Sequence, residues 1–267
     1  MLEAKYPRLN PTLDENGVLE LVLNEPEKLN AVDGELHKML ADVWRDIDSD
    51  ERVRSVLLRA EGRAFSAGGD LDWVNELATD FKARAKGFRE ARDLVHNIVN
   101  CAKPTVSAIN GVAVGAGLAI AILTDVSIAG KSALLIDGHT KIGVAAGDHA
   151  VMAWPILCGL ARARYYLLLC EKLDGEKAAD IGLVSLCVED SELLEKARSV
   201  ATRLATGSPT AMRWTKQSLN HWLRMAGPAF EASLAAEFLG FSGPDVIEGL
   251  AAVRGRREPQ FTGPTDG

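Results

Sequence analysis

Residues 105–123, TVSAINGVAVGAGLAIAIL, carry no charge over 19 residues, and this run constrains the fold more than any other stretch. Its length approaches the ~20 apolar residues of a membrane-spanning helix. Its punctuation argues otherwise. Lys103-Pro104 precedes it, Asn110-Gly111 is a turn signal inside it, and Gly115 and Gly117 follow closely. A buried strand (105–109), a tight turn and a short apolar helix (about 116–124) account for all of these features. No membrane partner is expected.

The flanking sequence extends the pattern. Residues 18–24, 53–60, 126–129 and 133–136 read as strands. Leu36, Met39, Leu40, Val43, Trp44 and Ile47 recur at helical spacing, with Asp33 as a candidate N-cap. Residues 72–101 read as one charged helix and 61–70, EGRAFSAGGD, as a loop. Alternating strands and helices imply an α/β core with parallel strands. After Val188 the pattern changes to helices over 190–206, 209–226, 228–241 and 244–254, with Ser208-Pro209 as a start signal. The expected division is a core, 1–205, and a C-terminal helical region, 206–267.

Composition limits the partners. The chain has 267 residues, 47% of them apolar, and a net charge of −7, which argues against nucleic acid as a partner. The four cysteines form no CxxC pair, so zinc and disulfide frameworks are not expected and a reducing cytoplasm fits. The polar N-terminus has no signal-peptide core. RGRR, 254–257, is one basic cluster, either a solvated tail or an anion site.

Familiar motifs fail. GKS at 130–132 lacks the earlier glycine of a phosphate loop, since position 125 is Asp. GVAVGAG lacks the dinucleotide spacing, and there is no GxSxG or HExxH. His139 and His149 show no third ligand, so no metal is expected. Two small-residue loops remain, AFSAGGDL (64–71) and INGVAVGAGLA (109–119). Small side chains let a ligand approach the backbone, and two converging N–H groups make an oxyanion hole.

These two loops, together with LNEPEKLNAVD (23–33), EKAADIGLVS (176–185) and DVIEGLAAVRGRREPQF (245–261), resemble the enoyl-CoA hydratase/isomerase (crotonase) superfamily. The resemblance implies a spiral core of ββα units, a C-terminal trimerisation region, and a homotrimer or dimer of trimers. It implies an acyl-CoA substrate and no prosthetic group, with CoA present only as part of the substrate. The N–H groups of Ala67 and Ala116 would hold the thioester carbonyl and stabilise an enolate. Lys28, Leu29, Arg63 and the loop Ala67, Gly68, Gly69, Asp70 would contact the CoA arm, and Arg256 its phosphate.

The chain departs from a hydratase of this family at both glutamate positions, which carry Ala119 and His139. His139 titrates near neutrality and suits proton transfer. Asp148, nine residues on, would orient it or else cap the next helix. Family branches with an acid at or near this position include dienoyl-CoA isomerases, a dehalogenase and a β-diketone hydrolase. The diketone hydrolase shares the His–Asp spacing and the following WP segment, but carries a second histidine where this chain has Ala116. Asp137-Gly138 reads as a turn, Asp70 as the hydrogen-bonded end of its loop, and Asp125 as a ligand of core backbone groups. His149 is expected on a helix surface, as are His37, His96 and His221. The leading expectation is a CoA-thioester hydratase or isomerase. The rivals are a β-diketone C–C hydrolase using His139 and Asp148, and a non-catalytic acyl-CoA-binding scaffold.

Overall fold

Three times in succession the chain lays one strand into a large sheet and the next into a small one. This is seen in a computed structural model describing residues 2–262. The strands are β1 (Thr12–Leu13), β2 (Val18–Leu23), β3 (Ser55–Ala60), β4 (Ala64–Ser66), β5 (Thr105–Ile109), β6 (Val112–Val114), β7 (Val126–Gly130), β8 (Leu134–Ile136), β9 (Leu173–Asp174) and β10 (Leu186–Val188). The helices of the first half are α1 (Leu2–Lys5), α2 (Gly34–Ser49), α3 (Leu71–Thr79), α4 (Phe81–Asn100) and α5 (Gly115–Ile122). Then follow α6 (Ala150–Cys158), α7 (Leu160–Leu169), α8 (Gly175–Asp180) and α9 (Leu193–Thr206). The C-terminal helices are α10 (Pro209–Leu219), α11 (His221–Met225), α12 (Gly227–Gly240) and α13 (Pro244–Arg254).

The large sheet has the order β1-β2-β3-β5-β7-β10, parallel except for β1. The small sheet has the order β4-β6-β8-β9, with β4, β6 and β8 parallel. The pairs β3/β4, β5/β6 and β7/β8 are the turns of a ββα spiral, as the resemblance implied. The uncharged run supplies one complete turn: β5, β6 and α5. Gly111 joins its strands at φ +56, where an added Cβ would lie 2.0 Å from the Arg63 carbonyl oxygen. Only glycine fits there.

Two predicted helices are broken. The charged stretch 72–101 divides at Asp80, whose carboxylate caps α4 by accepting from the Lys82 and Ala83 N–H groups. The stretch 209–226 divides at Asn220. The loop 61–70 contains β4, too short to show a period of two. α2 behaves as its pattern requires. Asp33 caps it and is held by Arg8 at 2.7 Å, while Leu36, Leu40, Val43, Trp44 and Ile47 are all buried. Each such side chain contributes about 1.5–3 kcal/mol on leaving water. On the other face of the large sheet, Ala197, Ala201 and Ala205 let α9 approach closely. Ser55 Oγ donates to the Ala201 carbonyl at 2.8 Å.

The C-terminal helices are not a separate body. Phe230, Leu234, Phe238, Val246 and Leu250 belong to the same buried cluster as Trp44 and Phe65. Gly249 seats α13 on the 3-10 turn Thr140–Ile142, where an added Cβ would meet the Ile142 carbonyl oxygen at 2.4 Å. Lys216 of α10 is buried and reaches Asp125 at 2.8 Å and the Lys103 carbonyl at 2.8 Å. Asp125 also accepts from the Thr105 N–H and Oγ1, as expected of a core backbone ligand. Lys216→Met should therefore leave Asp125 without its cation. Because the Asp125 side chain keeps 23% exposure, we expect a loss of about 1.5 kcal/mol, the lower end for a hydrogen bond to a charged group, measurable by urea unfolding. Among the described residues no helix is long and apolar enough to cross a membrane.

Candidate functional site

Because β4, β6 and β8 run parallel and adjacent, their C-terminal ends open at one edge. That edge presents the loop 67–70, the N-terminus of α5 and the segment 137–148. A cavity of about 250 Å³ lies there, walled by all three and closed by α12 and α3. The two glycine loops are packed against each other. A Cβ on Gly117 would lie 2.3 Å from the Ser66 Cβ, and one on Gly68 would lie 3.1 Å from the Val114 carbonyl oxygen.

Backbone donors at this edge differ from expectation by two residues. The Ala67 N–H donates to the Leu29 carbonyl at 2.9 Å, so it is not free for a ligand. The Gly68 N–H donates to Ser66 Oγ at 3.1 Å. The Gly69 N–H makes no hydrogen bond among the described residues, and Gly69 lines the cavity. Ala116, also in the wall, sits in the first turn of α5, where N–H groups have no intrahelical acceptor. Asp70 caps α3, accepting from the Asp72 and Trp73 N–H groups, and so ends the loop as expected.

The third segment carries the titratable groups. Gly138, at φ +85, turns the chain so that His139 Nδ1 meets Asp137 Oδ1 at 3.0 Å. That contact aims Nε2 at Asp148 Oδ1, 3.5 Å away, and at Glu237 Oε1, 3.7 Å away. Burial alone would lower the His139 pKa. The Asp137 and Asp148 carboxylates overcome it and hold the imidazole well above its usual range, hence charged at neutral pH. Burial pushes the Glu237 carboxyl up, and the Asp148 carboxylate adds to the rise, so Glu237 keeps its proton well above the usual carboxyl range. Burial would also raise Asp148, but His149 and His139 win and hold it below the normal range, ionised.

Several expectations are corrected here. Asp137 does stand at a turn, made by Gly138, but it is 1% exposed and bonded to His139, so it belongs to the site. His149 is not on a surface. It is fully buried, with Nδ1 2.5 Å from Asp148 Oδ1. Asp148 makes no helix cap; His149 occupies the N-cap position of α6 without a side-chain bond. His37 is also buried and lines the cavity, its ring 4.8 Å from that of Trp73. Glu237 was not expected at all. It lies on the buried stripe of Phe230, Leu234 and Phe238, and a lone acid on an apolar stripe was the available signal. Gly147 explains its arrival: α12 packs on that glycine, where a Cβ would lie 2.2 Å from the Ser233 carbonyl oxygen. Glu237 is one turn further along.

Of the residues assigned to a CoA arm, Ala67 and Gly69 line the cavity and the others do not. Lys28 is exposed, and Leu29 sits at φ +54 with its carbonyl on Ala67. Arg63 is exposed. Arg256, at φ +50, lines a surface depression with Lys141 and Arg257. His139, Asp148 and Glu237 also lie close enough together to form a three-ligand set.

The cavity thus brings the Gly69 and Ala116 backbone together with the titratable cluster of His139, Asp148 and Glu237. Known proteins share its frame. The family model described as Enoyl-CoA hydratase/isomerase matches residues 14–264. A curated relative, 1,2-epoxyphenylacetyl-CoA isomerase of Escherichia coli (strain K12), is 32% identical over 93% of this chain and 96% of its own. The crystal structure of an enoyl-CoA hydratase/isomerase from Mycobacterium paratuberculosis superposes with a TM-score of 0.87 at 31% identity, covering 91% of this chain and 97% of that one. A β-diketone hydrolase from the cyanobacterium Anabaena sp. PCC 7120, bound to (S)-3-oxocyclohexyl acetic acid, superposes at 0.83 with 27% identity, covering 90% and 96%. With a family match over nearly its whole length, this chain belongs to the enoyl-CoA hydratase/isomerase family of enzymes.

Proposed function

We propose that this enzyme moves a proton within an acyl-CoA thioester, shifting a double bond through an enolate. One observation carries the reading. Gly69 and Ala116 share a cavity with an ionised Asp148, a charged His139 and a protonated Glu237. The Gly69 and Ala116 N–H groups take the thioester oxygen, on which charge develops as a C–H bond breaks. Two carboxyls with pKa values driven apart divide the acid and base roles. Asp148 accepts the proton from one carbon, and Glu237 returns one to another. His139 stands 3.5 Å and 3.7 Å from the two carboxyls, and its charge moderates both. Lys28, Leu29, Arg63, the loop 67–70 and Arg256 support the CoA arm. Hydration is disfavoured because Ala119, buried at 2% exposure, replaces one water-holding carboxylate implied by the family pattern.

Incubation with a 3-enoyl-CoA should raise the absorbance of the conjugated 2-enoyl thioester. Hydration of crotonyl-CoA should be slower by a factor of about 100, the contribution of one missing acid–base group. Equal or faster hydration would overturn the proton-shift reading. A second reading is favoured by the likeness to the β-diketone hydrolase and by the His139–Asp148 pair, which suits activation of water for C–C cleavage. Cleavage of a cyclic β-diketone, with no turnover of any CoA ester, would establish it instead. The exposed Trp214, Leu219, Trp222, Met225 and Leu239 support the proposed assembly into trimers.

A further inference from the structure

We propose that the acyl group taken by this enzyme bears an oxygen, a hydroxyl or carbonyl, that hydrogen-bonds to His37, the hydroxyl also to Glu237. The inference rests on the acyl-CoA reading and narrows it to one substrate class. Three buried atoms on residues lining the cavity have no hydrogen-bond partner in the protein: His37 Nδ1, Asp137 Oδ2 and Glu237 Oε2. His37 and Glu237 are each only 4% exposed.

His37 has no structural reason to be a histidine. It lies on α2 among Leu36, Leu40 and Ala41, where an apolar side chain would pack. Trp73 clamps its ring at 4.8 Å, and Gly34 makes room for that indole, since a Cβ there would lie 2.8 Å from Trp73 Nε1. The nearest carboxylate, Glu90, is 3.7 Å from Nδ1, beyond hydrogen-bond range. His37 lines the same cavity as His139, Asp148 and Glu237.

Filling this cavity with a plain alkyl chain would cover these polar groups without pairing them. An acyl oxygen would accept from the imidazole, and a hydroxyl there would donate to Glu237 Oε2, which leaves the carboxyl proton for catalysis. Sites built to pair a substrate oxygen discriminate strongly against analogues that lack it, because their own polar groups are then left unpaired.

Calorimetric titration of the full chain with matched esters tests this. 3-Hydroxybutyryl-CoA is compared with butyryl-CoA, and 4-oxopentanoyl-CoA with pentanoyl-CoA. We expect the oxygen-bearing ester of at least one pair to bind about tenfold or more tightly, the effect of one buried polar group left unpaired. His37→Phe should abolish that preference, and His37→Gln, which keeps a hydrogen-bonding group, should retain part of it. Equal or tighter binding of both alkyl esters overturns the inference, as does a preference that survives in His37→Phe. If His37→Phe does not fold, the wild-type comparison still decides. Failure of all four esters to bind would instead overturn the acyl-CoA reading on which the inference rests.

Discussion

His139→Ala is expected to lower kcat/KM by about 10²-fold, the effect of misplacing the two catalytic carboxyls that its charge holds in position. The same change should destabilise the fold. The imidazolium is the cation among Asp137, Asp148 and Glu237, at 3.0, 3.5 and 3.7 Å. Removing it leaves a buried carboxylate cluster without its counter-charge, at a cost of about 3–5 kcal/mol. The cost depends on pH. The folded pKa of His139 is raised above its unfolded value, so its contribution is complete below the unfolded pKa of about 6.5. It is lost as pH rises through the folded pKa. The Tm gap between the wild type and His139→Ala should therefore be widest near pH 6 and narrow into the alkaline range. Calorimetry at several pH values reads it directly. Full activity in the variant, or a gap that grows with pH, would remove His139 from the centre of the site.

Glu237→Gln separates catalysis from stability. Activity should again fall by about 10²–10⁴-fold, because the amide cannot return a proton to carbon. Stability should move the other way. Burial and the Asp148 carboxylate raise the folded pKa of Glu237. Its contribution is complete below an unfolded pKa of about 4.3 and is lost as pH rises from there towards the folded value. At pH 7 the wild type bears that loss and a neutral glutamine does not. The variant should melt above the wild type at pH 7, with the gap closing near pH 4.5. A variant that melts lower at pH 7 yet keeps full turnover would show that Glu237 only packs the helix.

The site was legible where its residues follow one another in the chain. His139 and Asp148 stand nine apart beyond a strand, in a slot where the family pattern makes departures informative. The two glycine loops were legible for the same reason. Their donors were only half legible. Ala116 follows from the start of α5, but proposing Gly69 in place of Ala67 required knowing that the Leu29 carbonyl takes the Ala67 N–H. Asp137 and His149 looked like a turn and a surface residue. Both are polar residues beside a turn or a helix start, and nothing local reveals that they are buried.

The sequence by itself determined the alternation of strands and helices, the glycine positions that permit the spiral, and the residues, Ala119 and His139, that stand where the family resemblance implies glutamates. These are local facts, governed by side-chain periodicity and by backbone conformations open only to glycine. The tertiary structure decided which charges share a cavity. His37, His139 and Glu237 come from α2, the segment after β8 and α12, and meet because parallel strands end at one edge and a C-terminal helix closes over it. Their protonation follows from burial and mutual distance, which no spacing along the chain encodes.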